Sequence, residues 1–153
     1  MDYIRKIKDY IRITGLEAEH LEFEESCHTV EEAAVAVNCT ANEIVKNICM
    51  VDTEGNFIVA IVMGTDRASS KRVAKALKIE RPIMANEEEV LKNTGFPIGA
   101  VPSFGFEAIF LVDPKVLELE YVYTGGGTTN SLIKVKVSEL LKVNKGKVVR
   151  IRK

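Results

Sequence analysis

The sequence predicts an α+β fold: a single domain over residues 1–153 with a mixed, largely antiparallel, barrel-like sheet flanked by short helices. Three observations carry this. Strand-length apolar runs such as Phe57-Ile-Val-Ala-Ile-Val-Met63 follow one another through turns. The helical segments are short, and several open on a recognisable cap. Regular strand–helix–strand repetition is absent, which argues against a wound parallel sheet. At 153 residues, 46% hydrophobic and 28% charged, the chain can bury roughly two thirds of its unfolded surface, and no repeat or linker divides it.

Ile4, Ile7 and Ile11 stand at helical spacing over residues 2–13, and Gly15 is placed to end that helix. Leu16 to Phe23 alternates partially and reads as an edge strand. Thr29-Val-Glu-Glu32 is a capping box that opens a short helix through Ala33, Ala34 and Val37. Thr40-Ala-Asn-Glu43 repeats the signature and predicts a second short helix ending near Lys46. Ile48–Val51 and Phe57–Met63 form a hairpin across Asp52-Thr-Glu-Gly55-Asn56. Ser69 or Ser70 caps a basic amphipathic helix with Val73, Ala76 and Leu77 inward. Asn86 caps the next helix, which Gly95 ends. Strands are expected at 108–112, 119–123 and 132–137, a short helix after Ser138, and a final strand near 148–151.

No apolar run approaches the ~20 residues of a membrane span, and Met1-Asp-Tyr-Ile-Arg-Lys6 is too charged for a secretory signal, so a cytoplasmic protein with no membrane partner is expected. Cys27, Cys39 and Cys49 contain no Cys-x-x-Cys pair, which argues against a disulfide framework and a zinc site; no metal or cofactor is called for. The net charge of −1 is unevenly spread. Residues 17–32 hold seven acids and no Lys or Arg, residues 67–81 six bases against Glu80, and residues 134–153 eight bases against Glu139. Such a chain can present a basic face to phosphates although its total charge is near zero. For the C-terminal tail alone, simple solvation of a strand surface is the better reading.

Gly95-Phe-Pro-Ile-Gly99-Ala-Val-Pro102-Ser-Phe-Gly105 shapes its backbone with three glycines and two prolines and carries no charge. It is either a tight connector or a rigid loop that aims backbone N–H groups at a ligand. Gly125-Gly-Gly127 is a second glycine-rich turn, able to cradle a phosphate or simply to reverse a hairpin. Lys46, between a capped helix and an apolar strand with no acid beside it, is a candidate for a phosphate or a carbonyl, or else an exposed lysine. Cys27 next to His28 suggests a nucleophile pair, but adjacent side chains rarely face each other. The usual catalytic motifs are missing.

Taken in order, Thr29-Val-Glu-Glu-Ala-Ala34, Glu43-Ile-Val-Lys46-Asn47, Gly64-Thr-Asp66-Arg67, Lys71–Leu77, Thr94-Gly95-Phe-Pro97-Ile-Gly99-Ala-Val-Pro102 and Gly125–Gly127 resemble the YbaK/prolyl-tRNA-synthetase-associated domain family across residues 26–142. The resemblance implies a trans-acting aminoacyl-tRNA deacylase that cleaves alanyl or cysteinyl esters of tRNA for proline. The acceptor end of aminoacyl-tRNA is its implied partner, and prolyl-tRNA synthetase a further one. It also implies Lys46 and the backbone of Gly99, Ala100 and Val101 as the catalytic set. Asn47, Asp66, Arg67, Pro102, Gly125, Gly126, Gly127 and Thr128 are implied to bind substrate. Ala100 stands where many members have glycine, and Thr128-Thr129 replaces basic or histidine residues of some branches, so amino-acid specificity stays open. Two readings compete with catalysis: a non-catalytic module that binds aminoacyl-tRNA or the synthetase, and a nucleotide binder built on Gly125–Gly127.

Overall fold

The computed structural model describes residues 2–153. Along the chain run α1 (Tyr3–Thr14), β1 (Ala18–Glu22), α2 (Val30–Ala36), β2 (Val45–Val51), β3 (Phe57–Met63), α3 (Ser70–Leu77), β4 (Ile83–Met84), α4 (Glu87–Thr94), β5 (Ile109–Val112), β6 (Tyr121–Gly125), β7 (Ser131–Lys136), α5 (Val137–Asn144) and β8 (Lys147–Val148). The strands divide between two sheets. One is antiparallel, in the order β1-β7-β6; the other has the order β4-β2-β3-β5-β8, with β3–β5 and β5–β8 parallel. The α+β class and the mixed, mostly antiparallel pairing are those expected. The barrel-like element takes the form of two sheets that do not close, linked by a bridge between Ile44 and Tyr123.

β3 explains this layout. All seven of its residues are buried, because both of its faces are covered. Phe57, Val59, Ile61 and Met63 pack into the core between the sheets, with Phe96, Phe104, Val122, Ile133, Val135 and Leu140. Ile58, Ala60 and Val62 pack on the other face against Val73 of α3 and Ile151. A strand buried on both faces reads as a continuous apolar run and not as an alternation. The β2–β3 turn is tied by the Asp52 carboxylate, which accepts the amides of Glu54 at 3.0 Å and Asn56 at 2.8 Å. β2 follows the same division: Val45 and Cys49 face the inter-sheet core, while Ile48 and Met50 face α3.

Some expected boundaries shift. The second capping box forms at Thr40 and Glu43 but holds only a 3-10 turn over Ala41–Glu43. β-branched Ile44 and Val45 then favour extended backbone, so Lys46 lies inside β2 and not at a helix end. α5 begins at Val137, one residue before the expected Ser138 cap, with no side-chain cap. Among the described residues no helix is long and apolar enough to cross a membrane.

The C-terminal segment is anchored by Asp113, whose side chain is fully buried. Its carboxylate accepts the amides of Ile151 at 2.9 Å, Arg152 at 3.1 Å and Lys115 at 3.1 Å, and the Arg152 guanidinium at 2.7 Å. Burial alone would raise its pKa, but the hydrogen bonds outweigh this and hold it below the usual carboxylate range. A depressed folded pKa contributes stability above the unfolded value near ~4 that is lost as pH falls through the folded value. Asp113→Asn should therefore cost about 3 kcal/mol at pH 7. Its deficit relative to wild type should shrink below pH ~4. Urea titrations at pH 7 and pH 3 check both; an equal deficit at the two pH values would remove Asp113 from the acid response.

A candidate active site where the two sheets meet

The site is organised by an amide. Asn47 points from β2 toward the inter-sheet core, and its Nδ2 donates to the Val101 carbonyl at 2.9 Å and to Thr124 Oγ1 at 2.8 Å. Its Oδ1 accepts from Ser103 Oγ at 2.6 Å, and that hydroxyl lies 2.8 Å from Thr124 Oγ1. Ser103 is 0% exposed and Thr124 1%, so these bonds replace lost water contacts. Asn144 Nδ2 adds a bond to the Ser103 carbonyl at 3.0 Å. Three parts of the chain are joined: β2 of one sheet, β6 of the other, and the Gly/Pro loop.

The two glycine-rich segments interlock. A Cβ on Gly125 would overlap the Val101 carbonyl and lie 2.8 Å from its carbon, so only glycine lets that backbone pass. The Gly127 amide donates to Ala100 O at 2.9 Å, the Gly126 amide to Ser131 O at 3.2 Å, and the Thr128 amide to Ser131 Oγ at 3.2 Å. Gly126, Gly127 and Thr128 therefore spend their amides inside the protein; the turn seats the loop. Ala100 is buried, and its amide is bonded to Pro97 O at 3.1 Å. The amides of Gly99 and Val101 have no intramolecular acceptor among the described residues. Gly99 has φ +83°, and a Cβ there would run into the imidazole of His28.

This framework encloses a cavity of about 330 Å³. Its wall is largely apolar, from Val30, Ala33, Ile44, Ile48, Ile98 and Leu132, while Lys46, Asn47, Gly99, Val101, Thr124 and Gly125 supply polar groups and exposed backbone. Lys46 comes off β2 on the α3 side, and its ammonium donates to the Asp66 carbonyl at 2.6 Å. The Asp66 carboxylate is engaged elsewhere, 3.2 Å from Lys115 Nζ. Of the twelve residues singled out in the sequence, Lys46, Asn47, Gly99, Val101 and Gly125 line this cavity. Asp66 and Arg67 lead into α3 outside its lining, and Pro102 is buried within the Gly/Pro loop.

Thiol chemistry has little support here. Burial, then Glu32 and Glu25, push the Cys27 thiol up, and burial pushes Cys49 up to about 12. Thiols so shifted stay protonated and weakly nucleophilic at neutral pH. Cys27 Sγ points to Glu25 O, not to His28. The sequence reading missed Ser103 and Thr124, whose hydroxyls look like ordinary loop and strand residues until the fold brings them to Asn47. It also missed that His28 lies over Gly99. The only signal was a histidine directly before a capping-box threonine.

Two predictions test this construction. Asn47→Ala and Ser103→Ala should each cost about 1–3 kcal/mol, and the double variant should cost clearly less than their sum because both break one network; chemical denaturation gives all three values, and strict additivity would dissolve the network. Gly99→Ala should cost about 1–3 kcal/mol from its backbone angle plus the clash with the ring. Adding His28→Ala should recover only the clash, as thermal unfolding would show.

Residues 24–143 match the family described as Aminoacyl-tRNA editing domain. YwhH of Bacillus subtilis (strain 168), an uncharacterized protein, is 26% identical over 147 residues, covering 95% of this chain and 93% of YwhH. The proline–tRNA ligase of Kosmotoga olearia is 34% identical over 100 residues, which are 64% of this chain but only 17% of the ligase. A crystal structure of a protein proposed to be a trans-editing enzyme for prolyl tRNA synthetase superposes with a TM-score of 0.92 at 26% identity, over 100% of this chain and 98% of that one. With the match spanning most of its length, the chain belongs to the aminoacyl-tRNA editing domain family.

Proposed function

We propose that the chain 1–153 acts as one free-standing deacylase that hydrolyses the ester of mischarged aminoacyl-tRNA in the cytoplasm, with alanyl- or cysteinyl-tRNA for proline as substrate. The observation that carries this reading is the apolar cavity whose lining includes Lys46 together with Gly99 and Val101, whose amides have no intramolecular acceptor among the described residues. It occurs in a member of the editing family.

The chemistry needs few side chains. An aminoacyl ester is activated, so attack by water requires chiefly that the developing oxyanion be stabilised. Donors so placed contribute roughly 3–4 kcal/mol each in other systems. Gly99 and Val101 are the available donors, Val101 being held in place by Asn47. The water oxygen bonds to the acyl carbon and the ester C–O bond breaks. The ribose oxygen leaves with a proton, and the freed amino acid carries the carboxyl group. The vicinal ribose hydroxyl of the substrate helps to place the water, in keeping with the protonated thiols and the missing triad. Lys46 holds the terminal phosphate or the ester carbonyl. Its bond to the Asp66 carbonyl keeps the ammonium oriented.

Selectivity follows from size. The apolar part of the lining, which includes Val30, Ala33, Ile44 and Leu132, accepts a small apolar group. One methylene distinguishes substrates by only ~1–3 kcal/mol, so these four side chains decide what is rejected.

The test is a panel of mischarged tRNAs. Alanyl- or cysteinyl-tRNA for proline should lose its ester while the correctly charged prolyl-tRNA survives. Lys46→Ala should slow the rate about 100-fold or more, on the scale of losing one oxyanion donor, and Cys27→Ser should stay within a few-fold of wild type. If every ester persists but the tRNA is bound, the non-catalytic accessory reading replaces this one; if Lys46→Ala keeps the wild-type rate, the role given to Lys46 is wrong.

A further inference from the structure

We propose that the C-terminal segment Lys147–Lys153 and helix α3 form one cationic surface that binds the phosphate backbone of an RNA stem whose acylated end occupies the cavity; the RNA identity rests on the function proposed above.

The two segments lie far apart in sequence and are joined by backbone. The Ser69 amide donates to Ile151 O at 2.6 Å and the Lys153 amide to Arg67 O at 2.8 Å, with an antiparallel bridge between Ala68 and Arg152. Ile151 is 0% exposed beside Val73, and Lys147 Nζ reaches the Ala76 carbonyl at 3.3 Å. Asp113 fixes the tail from beneath through Ile151 and Arg152. The tail is thus a built edge of the domain, and its charges stand at defined places.

Those charges are of one sign. Arg67, Lys71, Arg72, Lys75, Lys78 and Arg81 are exposed, as are Lys147, Arg150 and Lys153 from the tail. Within 67–81 and 147–153 the only acid is Glu80. Among the described residues, Arg152 is the one cation of these segments in an ion pair, with Asp113. The nearby Asp66 carboxylate is taken by Lys115. Cations left unpaired and held together by the backbone repel one another, a cost that a polyanion removes.

The arrangement favours an extended phosphate chain. Lys71 and Lys75 stand at i and i+4 and so share one face of α3, a step of roughly 6 Å along the axis, and Lys78 follows as the left-handed cap at the C-terminal end of the helix. These cations also lead to the cavity: Lys46 lines it, its ammonium rests on the Asp66 carbonyl, and Arg67 follows directly. A ligand with its acyl end in the cavity can continue past Lys46 onto α3 and then the tail. Contacts of this kind position a nucleic acid without reading its sequence.

The experiment measures binding of deacylated tRNA by fluorescence anisotropy between 50 and 200 mM salt. It compares wild type with R150E/K153E, K71E/K75E, and R5E/K92E, which makes the same charge change on α1 and α4. The substituted side chains are exposed, and circular dichroism checks the fold; R150K/K153R keeps the charge. Wild type should bind with a steep salt dependence. The tail and α3 variants should each bind about 10-fold or more weakly, with a log–log salt slope lower by about two. R5E/K92E and R150K/K153R should stay within twofold of wild type. The proposal is overturned if R150E/K153E keeps wild-type affinity and slope, if R5E/K92E weakens binding equally, or if tRNA is not bound while an acidic protein is. If no aminoacyl ester is hydrolysed, the cavity reading falls, and the anisotropy still decides the surface.

Discussion

The Asn47 amide is the constraint on which the site depends. It sits where two sheets approach without merging, and it bonds a carbonyl and two hydroxyls that belong to buried residues. A buried polar group without partners costs about 1–3 kcal/mol, so each member of this cluster needs the others. An apolar residue at position 47 would leave the Val101 carbonyl without this donor and the Ser103 and Thr124 hydroxyls with only each other. The Gly/Pro loop makes few regular backbone bonds of its own, and its shape is borrowed from β2 and β6 through this one side chain. For that reason Asn47 acts as a positioning residue: both Nδ2 hydrogens are already donated.

The glycines then become intelligible as packing requirements. Gly125 brings β6 within contact of the Val101 backbone, and the Gly127 amide closes the junction at Ala100. What looked like a phosphate cradle is a seat for the neighbouring loop. The Gly99 and Val101 amides have no such partner among the described residues, and both residues line the cavity. With the Ala100 amide held on Pro97 O and the Ala100 carbonyl held by Gly127, the stretch around these two donors has little freedom to turn them inward, and donors held in place are what the proposed oxyanion stabilisation requires.

What the sequence disclosed was local. Capping boxes at Thr29 and Asn86, the Asp52 turn and the apolar run of β3 are encoded within a few residues, and the structure has each of them. Boundaries slipped where two local signals competed, as at Thr40–Val45, where a helix cap is followed by β-branched residues and the strand prevails. β4 escaped notice because two residues carry no periodicity. Ser103 and Thr124 could not be recognised, since their meaning lies in partners 21 to 77 positions away. The tail was read as a solvated surface because its binding to Arg67–Ser69 is made by main chain, which carries no sequence signal.

Charge supplies the remaining order. The cavity lining includes Cys27–Val30, a stretch between Glu25 and the Glu31-Glu32 pair, and also Lys46, whose ammonium rests on the Asp66 carbonyl just before Arg67 and α3. The aminoacyl-tRNA proposed above carries phosphates on one side of its ester and an ammonium on the other, so its two ends differ in the charge they favour. At physiological salt the screening length is about 8 Å, so charges near the cavity weigh more than distant ones. Net charge near zero conceals this because acids and bases are segregated along the chain and the fold keeps them apart. In the function proposed above backbone donors carry the chemistry, so little side-chain geometry is left to orient the ligand, and segregated charge supplies part of that orientation.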